Sequence, residues 1–268
     1  MISRKSSLEK ELETVLKQEQ RYIDKYKEKK ESFLNQKLAQ KIPDGLQEKL
    51  DAAFSKAFFL VFDKGTGIIE KTYKREDLEH GYKVNAYSAE IRENKNTLRT
   101  FKKGAAASSR KNLLLSTAEG VGLGVLGIGL PDIPLFTGMI LKSIYEVALH
   151  YGYAYDTEEE RYFILKLIQV SLLYGEELVQ ENQKTDLFME MKKLPEGYDM
   201  KKQVKDTSSM LSGELLYMKF LQGIPVVGAA GGIYDTVYLQ RIMKYVKIKY
   251  QKRFLLDKAK NVYHNYFM

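Results

Sequence analysis

The sequence predicts an all-α fold: a helical bundle around a glycine-rich central helical hairpin, with an N-terminal helical extension. Three observations carry that prediction. Apolar residues recur at three- and four-residue spacing through most of the chain. No segment alternates apolar and polar residues between hairpin turns. Only five prolines interrupt 268 residues. Apolar residues at 44% and charged residues at 29% describe a globular chain, and its length suffices for one substantial core, or one domain with an extension.

The first expected helix spans residues 7–41, with Leu8, Leu12, Val15 and Leu16 followed by Tyr22, Ile23 and Tyr26 on an amphipathic pattern. Pro43-Asp44-Gly45 ends it, so residues 1–44 are expected to form a polar extension and 45–268 the main domain. Leu50, Phe54, Phe58 and Val61 mark one face of a helix from Leu46 to Phe62. Residues 75–101 and 108–129 predict two more helices, separated near Gly104, with Ala105, Ala106 and Ala107 small enough for close helix packing. After Pro134 a helix runs to His150, where Tyr151-Gly152 stops it. Thr157 and Glu160 stand in capping-box spacing at the start of a helix reaching about Val179. Residues 207–222 form another, and a last helix or helix pair runs from Val226 to about Tyr263.

Leu113 to Leu141 carries only two charges, Glu119 and Asp132, and a run of glycines at 120, 122, 124, 127 and 129. At 100° per residue Gly120, Gly124 and Gly127 share a helix face. Each glycine costs roughly 1 kcal/mol against alanine inside a helix, so something must offset the run. Close helix packing in a core would do so. A membrane-inserting hairpin turning at Pro131 and Pro134 would also do so, and an unwound, ligand-lining segment is the third reading. Gly122, Gly124 and Gly127 spell a literal G-x-G-x-x-G, but no strand precedes it and Glu146 lies in a helical pattern, so a dinucleotide site is not expected. A second small-residue segment, with Pro225, Gly228 and Gly232, opens the last helix, and the two breaks are expected to lie side by side.

Net charge is +8. Eight basic residues against one acid, Asp257, fall between Arg241 and Lys260, and among them Arg241, Lys244, Lys247, Lys252 and Arg253 are candidates for meeting an anionic surface. A solvated helix face is the plainer reading of that run. Tyr234, Tyr238, Tyr245 and Tyr250 interleave with it, but tyrosines at helical spacing usually form core and no recognition module is present, so nucleic-acid binding is not expected. The start of the chain runs into charged residues without an apolar stretch, so no signal peptide is expected. No charge-free run reaches the roughly 20 residues of a spanning helix.

The chain has no cysteine, which excludes disulfides, thiol catalysis and cysteine-ligated metal. Weak catalytic candidates are Asp132, Glu146 and His150. Glu146 and His150 form a stripe with Lys142 that fits an acid/base pair or half a metal site. The plainer reading is a Lys142–Glu146 ion pair on an exposed helix edge. Asp132 between two prolines is explained by N-capping. No metal-ligand pair, G-x-S-x-G or P-loop is present, so neither cofactor nor metal is expected.

Two segments carry a family resemblance. One is Gly129-Leu130-Pro131-Asp132-Ile133-Pro134 with the run from Met139 to Ala148 and His150-Tyr151-Gly152. The other runs from Ile224-Pro225-Val226-Val227-Gly228 to Gly232. Together they resemble the EcsC family, bacterial proteins named for an association with a two-component ABC transporter. The likeness covers roughly residues 45–255; at Asp235 the chain departs from the asparagine of the family pattern. The resemblance implies a helical, membrane-proximal protein and names no chemistry. The expectation is a non-catalytic accessory protein in the cytoplasm, peripheral at the inner face of the membrane, partnered by an ABC transporter or another membrane protein and by the anionic membrane surface. The alternative is an all-α hydrolase or a small-ligand or lipid-binding protein using Asp132, Glu146 and His150.

Overall fold

The computed structural model describes residues 5–28, 45–63, 73–123, 132–222 and 231–266. Every regular element among them is an α-helix: α1 (Ser7–Lys27), α2 (Leu46–Asp63), α3 (Arg75–Ile91), α4 (Lys95–Leu123), α5 (Asp132–His150), α6 (Glu158–Leu172), α7 (Gly175–Met191), α8 (Met200–Gln222) and α9 (Gly231–Tyr266). The all-α expectation holds. The longest helix, α9, is the axis of the bundle. It packs against α1, α4, α5 and α6, while α5 also meets α2, α3 and α4, and α8 closes over α2 and α6.

Local chemistry accounts for most helix ends. Ser6 and Glu9 form a reciprocal capping box on α1, with the Ser6 amide donating to the Glu9 carboxylate at 2.7 Å. Thr157 caps α6 by accepting from the Glu160 amide at 3.2 Å. The Glu160 side chain, expected to reach back to the cap, instead enters the core to meet α9. Gly152 ends α5 with φ at +80°, a left-handed conformation that glycine adopts without penalty. Leu50, Phe54, Phe58 and Val61 are buried on one face of α2, and burying each phenylalanine contributes about 1.5–3 kcal/mol.

Four expectations change. Gly104 does not divide two helices, because α4 runs straight through it. The break lies at Arg92–Asn94, where Asn94 Oδ1 accepts from the amides of Asn96 and Thr97 at 2.8 and 3.1 Å. The helix expected to reach Val179 ends at Leu172, and α7 starts at Gly175, whose φ of +60° turns the chain. Helix α8 begins at Met200, seven residues early, since the Asp199 carboxylate accepts from the Lys201 amide at 2.8 Å. Finally, α1 does not protrude. Val15 and Tyr22 are fully buried, Tyr22 donates to the Ser171 carbonyl at 2.9 Å, and α1 lies along α9, α7 and α4. Its apolar stripe therefore belongs to the common core. The expected continuation of α1 to residue 41 lies outside the described residues, as do Gly124, Gly127, Pro131, Pro225 and Gly228, and with them the pairing of the two glycine-rich breaks.

Candidate functional site

The first candidate site is the seam between α4 and α5. On α4, Gly104, Ser108 and Asn112 recur every four residues, so they stack along one face. On α5, Glu146 and His150 do the same, and the two stripes meet. Asn112 donates to Glu146 Oε2 at 2.8 Å, and Ser108 Oγ lies 2.9 Å from His150 Nε2. Gly104 makes room for the imidazole, because a Cβ there would stand 2.7 Å from His150 Nδ1. Burial holds the His150 imidazole below its usual range, favouring the neutral ring.

Glu146 is buried rather than placed on an exposed helix edge. The reason is that α5 has α2, α3, α4 and α9 around it. The structure thus brings Glu146 and His150 together, each engaged with a different side chain of α4. This arrangement fixes the register of two helices. Asp132 is the first residue of α5 and Pro134 is exposed, while the Asp132 side chain lies outside the described residues. Gly120 and Gly232 fall within α4 and α9, and their packing also lies outside the described residues. No group of three histidine, aspartate or glutamate side chains that could hold a metal gathers among the described residues.

The second candidate is the basic run of α9, and here the structure corrects the expectation. Arg241, Lys252 and Arg253 are not surface cations; all three are buried. Because α9 is surrounded by four helices, its charges are carried inward and must find partners there. Arg253 meets Glu160 at 2.7 Å and lies over the Tyr153 ring, and Tyr250 donates to the same carboxylate at 2.6 Å. Arg241 donates to the Leu173 carbonyl at 2.8 Å and to the Tyr174 hydroxyl, and stacks between the Tyr26 and Tyr174 rings. Lys252 meets Glu19 at 2.5 Å and Asp186 at 2.9 Å.

Lys249, part of the run whose plainer reading was a solvated face, is fully buried. Its side chain has no exposure, and it pairs with Glu19 and, at 2.6 Å, with Asp186. Burial pushes its ammonium below the usual lysine range despite those two carboxylates. Burial also acts against the charge on Lys252, but Glu19 and Asp186 together outweigh it and hold that pKa up. Of the tyrosines that interleave with the run, Tyr245 and Tyr250 are fully buried and Tyr238 packs partly buried against the core.

Lys244 and Lys247 remain toward the outside. Lys244 is exposed and Lys247 half-buried. They line a cleft of about 330 Å³ between α9, α4 and α1, together with Arg21 and Lys102. Each helix contributes one stripe: Gln18 and Arg21 from α1, Lys102, Ala105 and Ala106 from α4, and Lys244, Lys247, Ile248 and Gln251 from α9. Spacings of three, four and seven residues put each set on one face. Sequence reasoning had no route to Arg21 and Lys102, which approach α9 only through the packing of three helices. Ala105 and Ala106 were the available clue, since small side chains there leave the space that the cleft occupies.

The chain matches the model of the EcsC protein family over residues 6–255. That match takes in α1, extending the expected likeness by some forty residues, in keeping with the packing of α1 into the core. The chain is also 28% identical over 158 residues to the uncharacterized protein YdbA of Bacillus subtilis (strain 168), a stretch covering 54% of each sequence. The matched stretch thus spans about half the length of that curated relative. No solved structure matches the chain.

Proposed function

Because the chain belongs to the EcsC protein family, we propose that it is a non-catalytic helical accessory protein, peripheral at the inner face of a membrane and associated with an ABC exporter. The transporter partner follows from the association that gives the family its name. The observation that carries the membrane part is the cleft face itself. Arg21, Lys102, Lys244 and Lys247 stand on one side of the bundle, and among the described residues no carboxylate lines the space between them. Near an anionic surface each such cation contributes about 1 kcal/mol, so four give roughly 4 kcal/mol of salt-sensitive attraction. Among the described residues no helix is long and apolar enough to cross a membrane, so the proposal rests on surface attachment. The apolar stretch 113–141 offers a second, salt-resistant route of attachment.

Flotation with anionic vesicles tests the proposal. The protein is expected to float at low ionic strength and to be released at high salt if the basic face acts alone. Retention at high salt would assign the attachment to the apolar stretch. Failure to float under either condition would refute attachment of the protein by itself. The non-catalytic part is supported by the engagement of Glu146 and His150 with α4. Turnover of a substrate that Glu146→Gln abolishes without loss of helix content would overturn it.

A further inference from the structure

We propose that the cleft between α1, α4 and α9 is a stoichiometric binding site for a phosphomonoester group. This deepens, and rests on, the reading of that face as the anion-binding side of the molecule. The cleft differs from a generally basic surface in three respects. Its four cations come from three helices and converge on one concavity of about 330 Å³, a volume within the range of small-ligand sites. None of the four has a carboxylate partner among the described residues: Lys247 reaches only the Ser109 hydroxyl at 3.3 Å, and Lys102 only the Gln18 amide oxygen at 3.5 Å. Elsewhere in this protein the inward-turned Lys249, Lys252 and Arg253 are paired with acids, while Arg241 is held by the Leu173 carbonyl and stacked between two tyrosine rings. Glu11, also on α1, does not line the cleft; it is buried and held by Arg99 at 2.8 Å.

The chemistry of the lining selects phosphate among anions. A phosphomonoester carries about −1.5 to −2 charge near neutral pH and three strong acceptor oxygens, which suits several cations approaching from different directions. Arg21 can supply a planar fork and the lysines rotatable point charges. Gln18 and Gln251 add amide groups to the lining, and the Ala105, Ala106 and Ile248 side chains give an apolar wall for the carbon body attached to the phosphate. Lys247 supports the same assignment. Burial and the nearby Arg110 guanidinium push its ammonium below the ordinary lysine range, and a bound dianion would reverse that effect.

A phosphomonoester can come from a lipid headgroup or from a free solute, and two arms separate these. In the first, inorganic phosphate is titrated into the full-length protein by calorimetry against chloride at equal ionic strength. In the second, flotation compares phosphatidylcholine vesicles containing phosphatidic acid with vesicles containing phosphatidylserine at matched charge. Wild type is compared with Lys244→Gln/Lys247→Gln, with Arg21→Gln, which changes an exposed side chain, and with Lys83→Gln/Lys193→Gln, two exposed lysines outside the cleft. One-to-one phosphate binding is expected, weakened at least tenfold in both cleft variants and less than twofold in the control.

A preference for phosphatidic acid that the cleft variants lose would assign the lipid headgroup. Phosphate binding without that preference would assign a free solute, and would leave the cleft standing even if flotation fails and the peripheral reading falls. Equal losses in the cleft variants and the control would overturn the site while leaving general surface attachment intact. Absence of both saturable phosphate binding and lipid preference in the wild type would overturn it outright.

Discussion

Replacing Glu19 with glutamine removes the carboxylate that receives Lys249 and Lys252, and tests whether α1 is held to α9 by charge inside the core. Lys249 has no exposure, and the carboxylates it pairs with among the described residues are Glu19 and Asp186, so the variant leaves a buried ammonium with one counter-charge. Breaking a buried pair outright costs about 3–5 kcal/mol. Asp186 remains 2.6 Å away, which moves the expectation to about 2–3 kcal/mol on the same scale. The lysine can also shed its proton, and moving a pKa of about 10.4 down to pH 7 at 1.36 kcal/mol per unit caps the penalty near 5 kcal/mol. The expected loss is about 30- to 150-fold in the folding equilibrium. Urea unfolding followed by circular dichroism reads it: with a slope of about 2–3 kcal/mol/M, the midpoint falls by roughly 1 M. Adding Lys249→Met removes the stranded charge and leaves Lys252 and Asp186 as a balanced pair, so the double variant should recover at least 1 kcal/mol relative to additivity. A loss below about 0.5 kcal/mol for Glu19→Gln, or simple additivity in the cycle, would refute the network as the tie between the two helices.

The seam between α4 and α5 yields two further predictions. Gly104→Ala should gain up to about 1 kcal/mol of helix propensity but lose about 1–3 kcal/mol to the clash with the His150 ring, lowering the melting temperature by a few degrees; in a His150→Ala background the same change should raise it, and an unchanged sign would remove the steric account of Gly104. Burial holds the folded-state pKa of His150 below its ordinary value of 6.5, so the unfolded chain binds the proton first as pH falls. The stability this group contributes is therefore fully present above about pH 6.5 and is lost as pH drops through that value toward the folded pKa. Denaturation curves between pH 7.5 and 5, on the order of that window, should fall less steeply for His150→Gln than for wild type.

Periodicity and turn chemistry determined the helices whose signals are local. The Phe54–Phe58 face, the Thr157 cap and the Tyr151–Gly152 stop are each written in a few neighbouring residues, and α2, α6 and α5 use them as expected. The boundary between α3 and α4 was legible too, in Asn94 and Thr97, but Gly104 looked like the stronger breaker. It serves instead to admit the His150 ring, a partner forty-six residues away that no local window contains. Gly175 was hidden in the same way, because the apolar spacing on its two sides continues in phase across the turn. Tertiary structure alone decided which charges are surface. The eight basic residues of the last helix look like one solvated stripe, yet α9 lies at the axis with four helices around it, and solvent reaches only part of its circumference. Buried charge is tolerated where an acid meets it, and those acids, Glu19, Glu160 and Asp186, sit far away in sequence on α1, α6 and α7. Where three helices instead converge with no acid among the described lining residues, Arg21, Lys102, Lys244 and Lys247 form the cleft. Sequence determines that such charges exist and which helix each rides on. Whether a cation becomes a core strut or part of a binding surface depends on the distances between helices, which only the folded bundle sets.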